Sequence, residues 1–169
     1  RQILSLRPDQ NILLLMPASR PQELRYILPT FMLAARKLQQ KYPSLVVYIP
    51  SCRRVFDEKF KKAFIKYQVK GKVISQKDNA RLKPYIYSLT KIALCKSGTV
   101  NMELALYGIP QIVGYRVSRI TAFIAKKILN FKVKFISPVN LLVNKLIIPE
   151  FVQKAVSYTH LTLPTNGEV

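Results

Sequence analysis

Short apolar runs alternate with amphipathic stretches along most of the chain. Ile12 to Met16 is a continuous apolar run stopped by Pro17, the pattern of a strand buried on both faces. From Gln22 to Tyr42, residues Leu24, Ile27, Leu28, Phe31, Leu33, Ala34 and Leu38 recur at helical spacing. Pro29 lies inside that pattern and is predicted to kink or split the helix. Leu45 to Ile49 reads as a second strand before Pro50, and Val55 to Val69 as a helix with Phe56, Phe60, Phe64 and Val69 inward. A short strand at Val73-Ile74 follows Gly71, and a helix at Leu82 to Leu89 has Pro84 near its start. Ile92 to Cys95 is a fourth strand, and Thr99 to Tyr107 a helix closed by Gly108. Pro110 to Tyr115 is a fifth strand, followed by a helix from Ser118 to Asn130 with Ser118 as its cap.

Strands separated by helices imply βαβ units with right-handed crossovers. The expected fold is therefore α/β: a doubly wound, Rossmann-like parallel sheet of at least five strands with helices on both faces. Its ligands should bind outside the carboxyl ends of the strands.

Composition narrows this picture. At 169 residues with 49% apolar content, the chain suits one globular domain and excludes general disorder. Two cysteines, Cys52 and Cys95, exclude a disulfide scaffold, and no Cys/His cluster suggests a metal. No run approaches the length of a transmembrane helix, and Arg1 to Pro8 lack the pattern of a signal peptide. The chain starts at Arg1, as a fragment would, so a targeting segment could be missing. Residues 1–153 read as the domain. Residues 154–169 are rich in Thr, Ser, Pro and Asn and are expected to form a non-native tail. They resemble translated adaptor sequence, and they hold His160, the only histidine.

The net charge of +20 makes an anionic partner plausible. Residues 41–83 hold twelve bases against Asp57, Glu58 and Asp78, and residues 104–149 hold seven bases and no acid. The first block is most simply the solvated face of a helix with a turn. Nucleic acid is one candidate partner, but no RNP-like motif, GXXG loop, zinc finger or helix-turn-helix spacing is present. A phosphorylated metabolite or an anionic lipid surface would account for the charge equally well.

Three loops follow strands where a doubly wound sheet keeps its site. In the first, Ser19 and Arg20 precede a long helix, where N–H groups and an Arg fork can hold an anion. A capping serine beside a surface arginine is the alternative. In the second, Ser97-Gly98-Thr99 opens a helix and offers hydroxyls, N–H donors and a close approach to phosphate. Glu103, one turn on, could accept from the hydroxyls of a ribose. An ordinary cap with an acid in the first turn is the alternative. In the third, Tyr115 and Arg116 could stack on a base and meet a phosphate. Neither GxGxxG nor GxxxxGK[ST] occurs, and a Ser-His-Asp or Cys-His enzyme is not expected. Asn140 and Gln153, read unaided, are turn residues.

Taken together, LLMPASRPQEL, KSGTVNMELALYGIPQIVGYR, SPVNLL and IIPEFVQ resemble, in order and spacing, the lipid-A-disaccharide synthase family. The likeness is to its cyanobacterial and plant-type branch and covers roughly Asn11 to Gln153. It implies the C-terminal, nucleotide-sugar-binding domain of a two-domain GT-B glycosyltransferase. The implied donor is UDP-2,3-diacylglucosamine and the implied acceptor 2,3-diacylglucosamine 1-phosphate. The product would be a β-1′,6 disaccharide, formed with inversion, without a metal or other cofactor, with release of UDP. The resemblance assigns substrate binding to Ser19, Arg20, Ser97, Gly98, Thr99, Glu103, Tyr115, Arg116, Asn140, Glu150 and Gln153. It assigns no catalytic residue here, because the general base is expected in an N-terminal half. The chain departs from the family at Ala18, where glycine is usual and a Cβ could crowd a backbone approaching phosphate.

The resemblance further implies no nucleic-acid partner and a cytoplasmic enzyme peripheral to a membrane, or an organellar one in a plant or alga. Alternatives are another UDP-N-acetylglucosamine-using GT-B enzyme and a basic nucleic-acid-binding module. On a wheel of the helix 118–130, Phe123 falls among Arg116, Arg119, Lys126 and Lys127, off the stripe of Ile124 and Ile128. An aromatic ring among cations suits an anionic membrane surface. A neighbouring loop or the N-terminal half covering Phe123 is the alternative.

Overall fold

The computed structural model describes residues 2–116 and 134–152. The helix read at 118–130, Gln153 and the tail 154–169 lie outside the described residues. After a short 3-10 turn at Gln2–Leu4, the elements are β1 (Asn11–Met16), α1 (Pro21–Lys41), β2 (Leu45–Pro50), α2 (Arg54–Tyr67) and β3 (Gly71–Ile74). They continue with α3 (Gln76–Leu89), β4 (Thr90–Lys96), α4 (Val100–Leu106), β5 (Gln111–Tyr115), α5 (Pro138–Val143) and β6 (Glu150–Val152). Among the described residues the sheet has six strands in the order β3-β2-β1-β4-β5-β6. Every neighbouring pair is parallel. Chain order reverses between β1 and β4, so the topological switch point lies there.

The run Ile12–Leu15 is wholly buried because β1 is central and covered on both faces. On one face, α1 and α2 place Leu24, Ile27, Phe31, Phe56 and Phe60 against Leu13, Val47 and Leu94. On the other, Ile86, Tyr87, Leu104 and Val139 pack on Ile12, Leu14, Ala93 and Val113. The basic block around α2 is the solvated helix face that its spacing suggested. Phe56, Phe60 and Phe64 are buried, whereas Lys59, Lys61, Lys62 and Lys66 are exposed.

The structure narrows one expectation, moves another and adds two elements. Pro29 does not split α1, which runs unbroken for 21 residues. A proline removes one hydrogen bond, and the burial of Ile27, Leu28, Phe31 and Met32 around it holds the helix together. Helix α3 begins at Gln76, not Leu82, because Ser75 caps it by accepting from the Asp78 N–H. Its polar first turns carry no apolar period to read. The segment 138–152 is also ordered into α5 and β6. Gly108 closes α4 as expected, at φ +65°, with Ile109 N–H donating to Leu104 O.

Candidate functional site

The three candidate loops leave the carboxyl ends of β1, β4 and β5, which are neighbours in the sheet. Residues 17–20 and 97–99 flank the switch point. Arg20, not Ser19, occupies the N-cap position of α1, and no side chain caps that helix. The Ser19 and Arg20 side chains are exposed at the loop tip. Pro21 takes the first helical position, where its missing N–H costs nothing. Ala18 is half-buried and packs against the α1-side core, so its methyl is absorbed by the interior.

The turn at 97–99 is shaped from below by a buried network. Asn101 accepts the Gly98 N–H at 2.8 Å and donates to Gln111 Oε1 and to Cys95 Sγ, both at 3.1 Å. Gln111 Nε2 in turn donates to Asn101 O at 2.9 Å. The Gly98 N–H is therefore already bonded within the protein, and the donors left at this turn are those of its neighbours. Nothing lies within 4 Å of a Cβ built on Gly98, and its φ is not positive. Neither packing nor a positive φ therefore requires glycine at this position. Thr99 is exposed, and its hydroxyl makes no capping bond to α4.

Burial pushes the Cys95 thiol up to about 12, against a smaller lowering by the Asn101 hydrogen bond. Cys52 is exposed. At pH 8, a maleimide or iodoacetamide pulse followed by peptide mass spectrometry should modify Cys52 and spare Cys95 until the protein is denatured. Equal labelling of the two in the folded protein would show that the network beneath the turn opens.

Glu103 is half-buried on α4 and forms an ion pair with Lys83 of α3. The Lys83 ammonium also lies 5.5 Å from the Tyr87 ring centroid, and Tyr87 packs edge-on against Tyr107 at 5.0 Å. The Tyr87 hydroxyl is held above its ordinary pKa, first by burial and then by the Glu103 charge. Arg116 turns back toward α1, where Nη1 donates to the Thr30 hydroxyl at 3.3 Å. Tyr115 ends β5 beside Lys96.

Ser97, Asn140 and Glu150 are joined in one hydrogen-bonded network through Ile136 and Ser137. The Ser97 hydroxyl donates to Ile136 O. Ile136 N and Ser137 N donate to the Glu150 carboxylate at 2.7 and 2.8 Å. Glu150 Oε1 also accepts from Asn140 Nδ2 at 2.7 Å. Asn140 is fully buried and makes both its donor and both its acceptor bonds inside the protein. Gln153 lies outside the described residues.

Sequence reading missed the Asn101–Gln111 network, Glu23 and Lys96. Two signals pointed to the latter pair: an acid in the first turn after a Ser-Arg loop, and a charge ending an apolar strand. Among the described residues, no three His, Cys, Asp or Glu side chains are grouped as metal ligands. A cavity of about 740 Å3 lies at the opposite, amino-terminal edge of the sheet, between residues such as Leu38, Ile92, Ile112 and Pro149. It contains none of the predicted site residues.

A doubly wound parallel domain with its polar loops gathered at the switch point has the architecture of one half of a GT-B glycosyltransferase. E. coli ADP-heptose LPS heptosyltransferase II matches it with a TM-score of 0.62 at 9% identity, over 95% of this chain and 47% of that one. That likeness is one of fold alone. Residues 1–163 match the family model described as lipid-A-disaccharide synthetase. The chain is 50% identical over 153 residues to the lipid-A-disaccharide synthase of Prochlorococcus marinus (strain MIT 9313), covering 90% of this chain and 39% of that protein. With the enzyme of Gloeothece citriformis it shares 39% identity, over 91% of this chain and 39% of that protein. The chain belongs to the lipid-A-disaccharide synthetase family. It spans about two-fifths of the length of these relatives.

Proposed function

We propose that this chain is the donor-binding half of a lipid-A-disaccharide synthase. The grouping of loops 17–20, 97–99 and 115–116 at the carboxyl ends of adjacent strands β1, β4 and β5 carries the reading. In the reaction, the 6-hydroxyl of 2,3-diacylglucosamine 1-phosphate attacks the anomeric carbon of UDP-2,3-diacylglucosamine. The C–O bond to UDP breaks as the β-1′,6 bond forms, and the hydroxyl proton passes to a general base outside this chain. Arg20, Arg116 and the polar groups of the 97–99 turn meet the charge growing on the leaving diphosphate. Glu103 accepts from the ribose hydroxyls, with Lys83 fixing its carboxylate. Asn140 and Glu150 support the turn through Ile136 and Ser97. Both sugars carry acyl chains, so the enzyme works at an anionic membrane surface, on its cytoplasmic side or within an organelle. Among the described residues, no helix is long and apolar enough to cross a membrane.

Calorimetry of the full-length protein with UDP tests this. Glu103→Ala should weaken UDP binding by about 1–3 kcal/mol, the range for a hydrogen bond to a charged group. Unchanged affinity would remove Glu103 from the site. Salt-dependent DNA binding with no UDP affinity in the wild type would favour a nucleic-acid module instead.

A further inference from the structure

We propose that Lys96, set in position by Glu23, is a further donor-binding residue that meets the diphosphate of the nucleotide sugar. The inference rests on the donor-binding reading above and adds a cation to it that neither the sequence motifs nor the relatives' names assign.

Lys96 is the last residue of β4, immediately before the 97–99 turn and beside the switch point. Its ammonium lies 2.8 Å from Glu23 Oε1, in the first turn of α1 just after the Ser19-Arg20 loop. It also lies 5.5 Å from the centroid of the Tyr115 ring, at the end of β5. One side chain thus joins the ends of all three candidate loops. Gly114 pairs with Lys96 in register, and a Cβ there would lie 3.0 Å from the Phe31 ring. The neighbouring strand therefore adds no side chain between Lys96 and α1.

The pair is largely withdrawn from water, with Lys96 22% and Glu23 15% exposed. Buried charges are tolerated when their hydrogen bonds are satisfied. Here they are only half satisfied by protein. Glu23 Oε2 is buried without a hydrogen-bond partner. The Lys96 ammonium has three donors, and the contacts it makes among the described residues are the ion pair with Glu23 and the Tyr115 ring. An anion would complete the ammonium's donors and not the carboxylate oxygen, so the recruiting group is Lys96.

The surroundings select the ligand. Arg20 and Arg116 stand on the flanking loops, and Glu103 is already paired with Lys83. An anion with oxygens on two linked centres, spanning loop 17–20 and turn 97–99, fits this arrangement. Two ammonium N–H groups turn to its oxygens while the third stays on Glu23. Glu23 is a positioning residue: its carboxylate holds the ammonium at the mouth of the crevice and off the solvent.

The test is calorimetry of the full-length protein with UDP and with uridine, alongside thermal melts. Lys96→Met keeps the stem and removes the charge. It should weaken UDP binding about tenfold or more, as expected for a lost charge-assisted contact, while uridine affinity stays within about twofold. Lys96→Arg should restore most of the UDP affinity. Lys96→Met leaves Glu23 uncompensated and could unfold the domain. The double variant Glu23→Gln/Lys96→Met removes both charges and should show the same selective loss in a folded protein. If the wild type binds UDP and the double variant binds it equally well, Lys96 is an internal brace and the inference is overturned. If the folded wild type binds no UDP, the donor-binding reading and this inference fall together.

Discussion

Asn140→Ala is expected to destabilise the domain by about 2–4 kcal/mol, as several buried partners lose their bonds at once. Asn140 is fully buried in α5. Its Oδ1 accepts from Ile147 N and Ile148 N at 3.0 and 2.9 Å, and its Nδ2 donates to Ile148 O and Glu150 Oε1, both at 2.7 Å. Alanine would strand the Ile148 N–H and carbonyl and would free the Glu150 carboxylate from one of its three donors. Glu150 anchors Ile136 and Ser137, and Ile136 receives the Ser97 hydroxyl. The damage should therefore reach the 97–99 turn secondarily. Urea denaturation of the full-length protein, with UDP calorimetry in parallel, separates the two roles. A large fall in stability with a smaller fall in UDP affinity is the expected result. A collapse of UDP affinity with a stability change under about 1 kcal/mol would instead mark Asn140 as a direct ligand contact.

Phe31→Ala should cost about 3–5 kcal/mol, the range for deleting a buried aromatic ring and leaving a cavity. Phe31 is inaccessible to solvent and belongs to the core between α1 and the sheet. Its ring fills the space above Gly114, where an added Cβ would come within 3.0 Å of it. Thr30, the next residue back, holds Arg116. The substitution should therefore loosen α1 over β5 as well as lower the midpoint of unfolding. Phe31→Leu, which keeps much of the volume, should cost less. A cost below about 1 kcal/mol for Phe31→Ala would show that α1 repacks over Gly114 without loss.

The elements that sequence periodicity revealed are those whose burial is set locally. The run Ile12–Met16 has the pattern of a strand covered on both faces, and β1 is indeed central. The Phe56, Phe60 and Phe64 spacing oriented α2 correctly. The elements it missed carry little hydrophobic period. The first turns of α3 are polar and depend on the Ser75 cap. Helix α5 and strand β6 are short and depend on the Asn140 and Glu150 side chains. Pro29 does not break α1 because its local penalty is smaller than the packing of the residues around it.

The candidate loops were legible because small, hydroxyl-bearing and basic residues cluster after predicted strands. Which of them keep free polar groups was not. Asn140, a turn residue when read unaided, and the Gly98 N–H both make hydrogen bonds inside the protein that no local pattern announces. Lys96 and Glu23 read as a strand end and a first-turn acid, yet tertiary structure brings them together beside the crevice. Local period, composition and motif spacing carry the order of strands and helices from β1 to β5, the basic charge and the family. Tertiary structure alone decided the place of the switch point and the partners of each polar side chain. Those depend on which strands become neighbours, and residues far apart in the chain meet only once the sheet has formed.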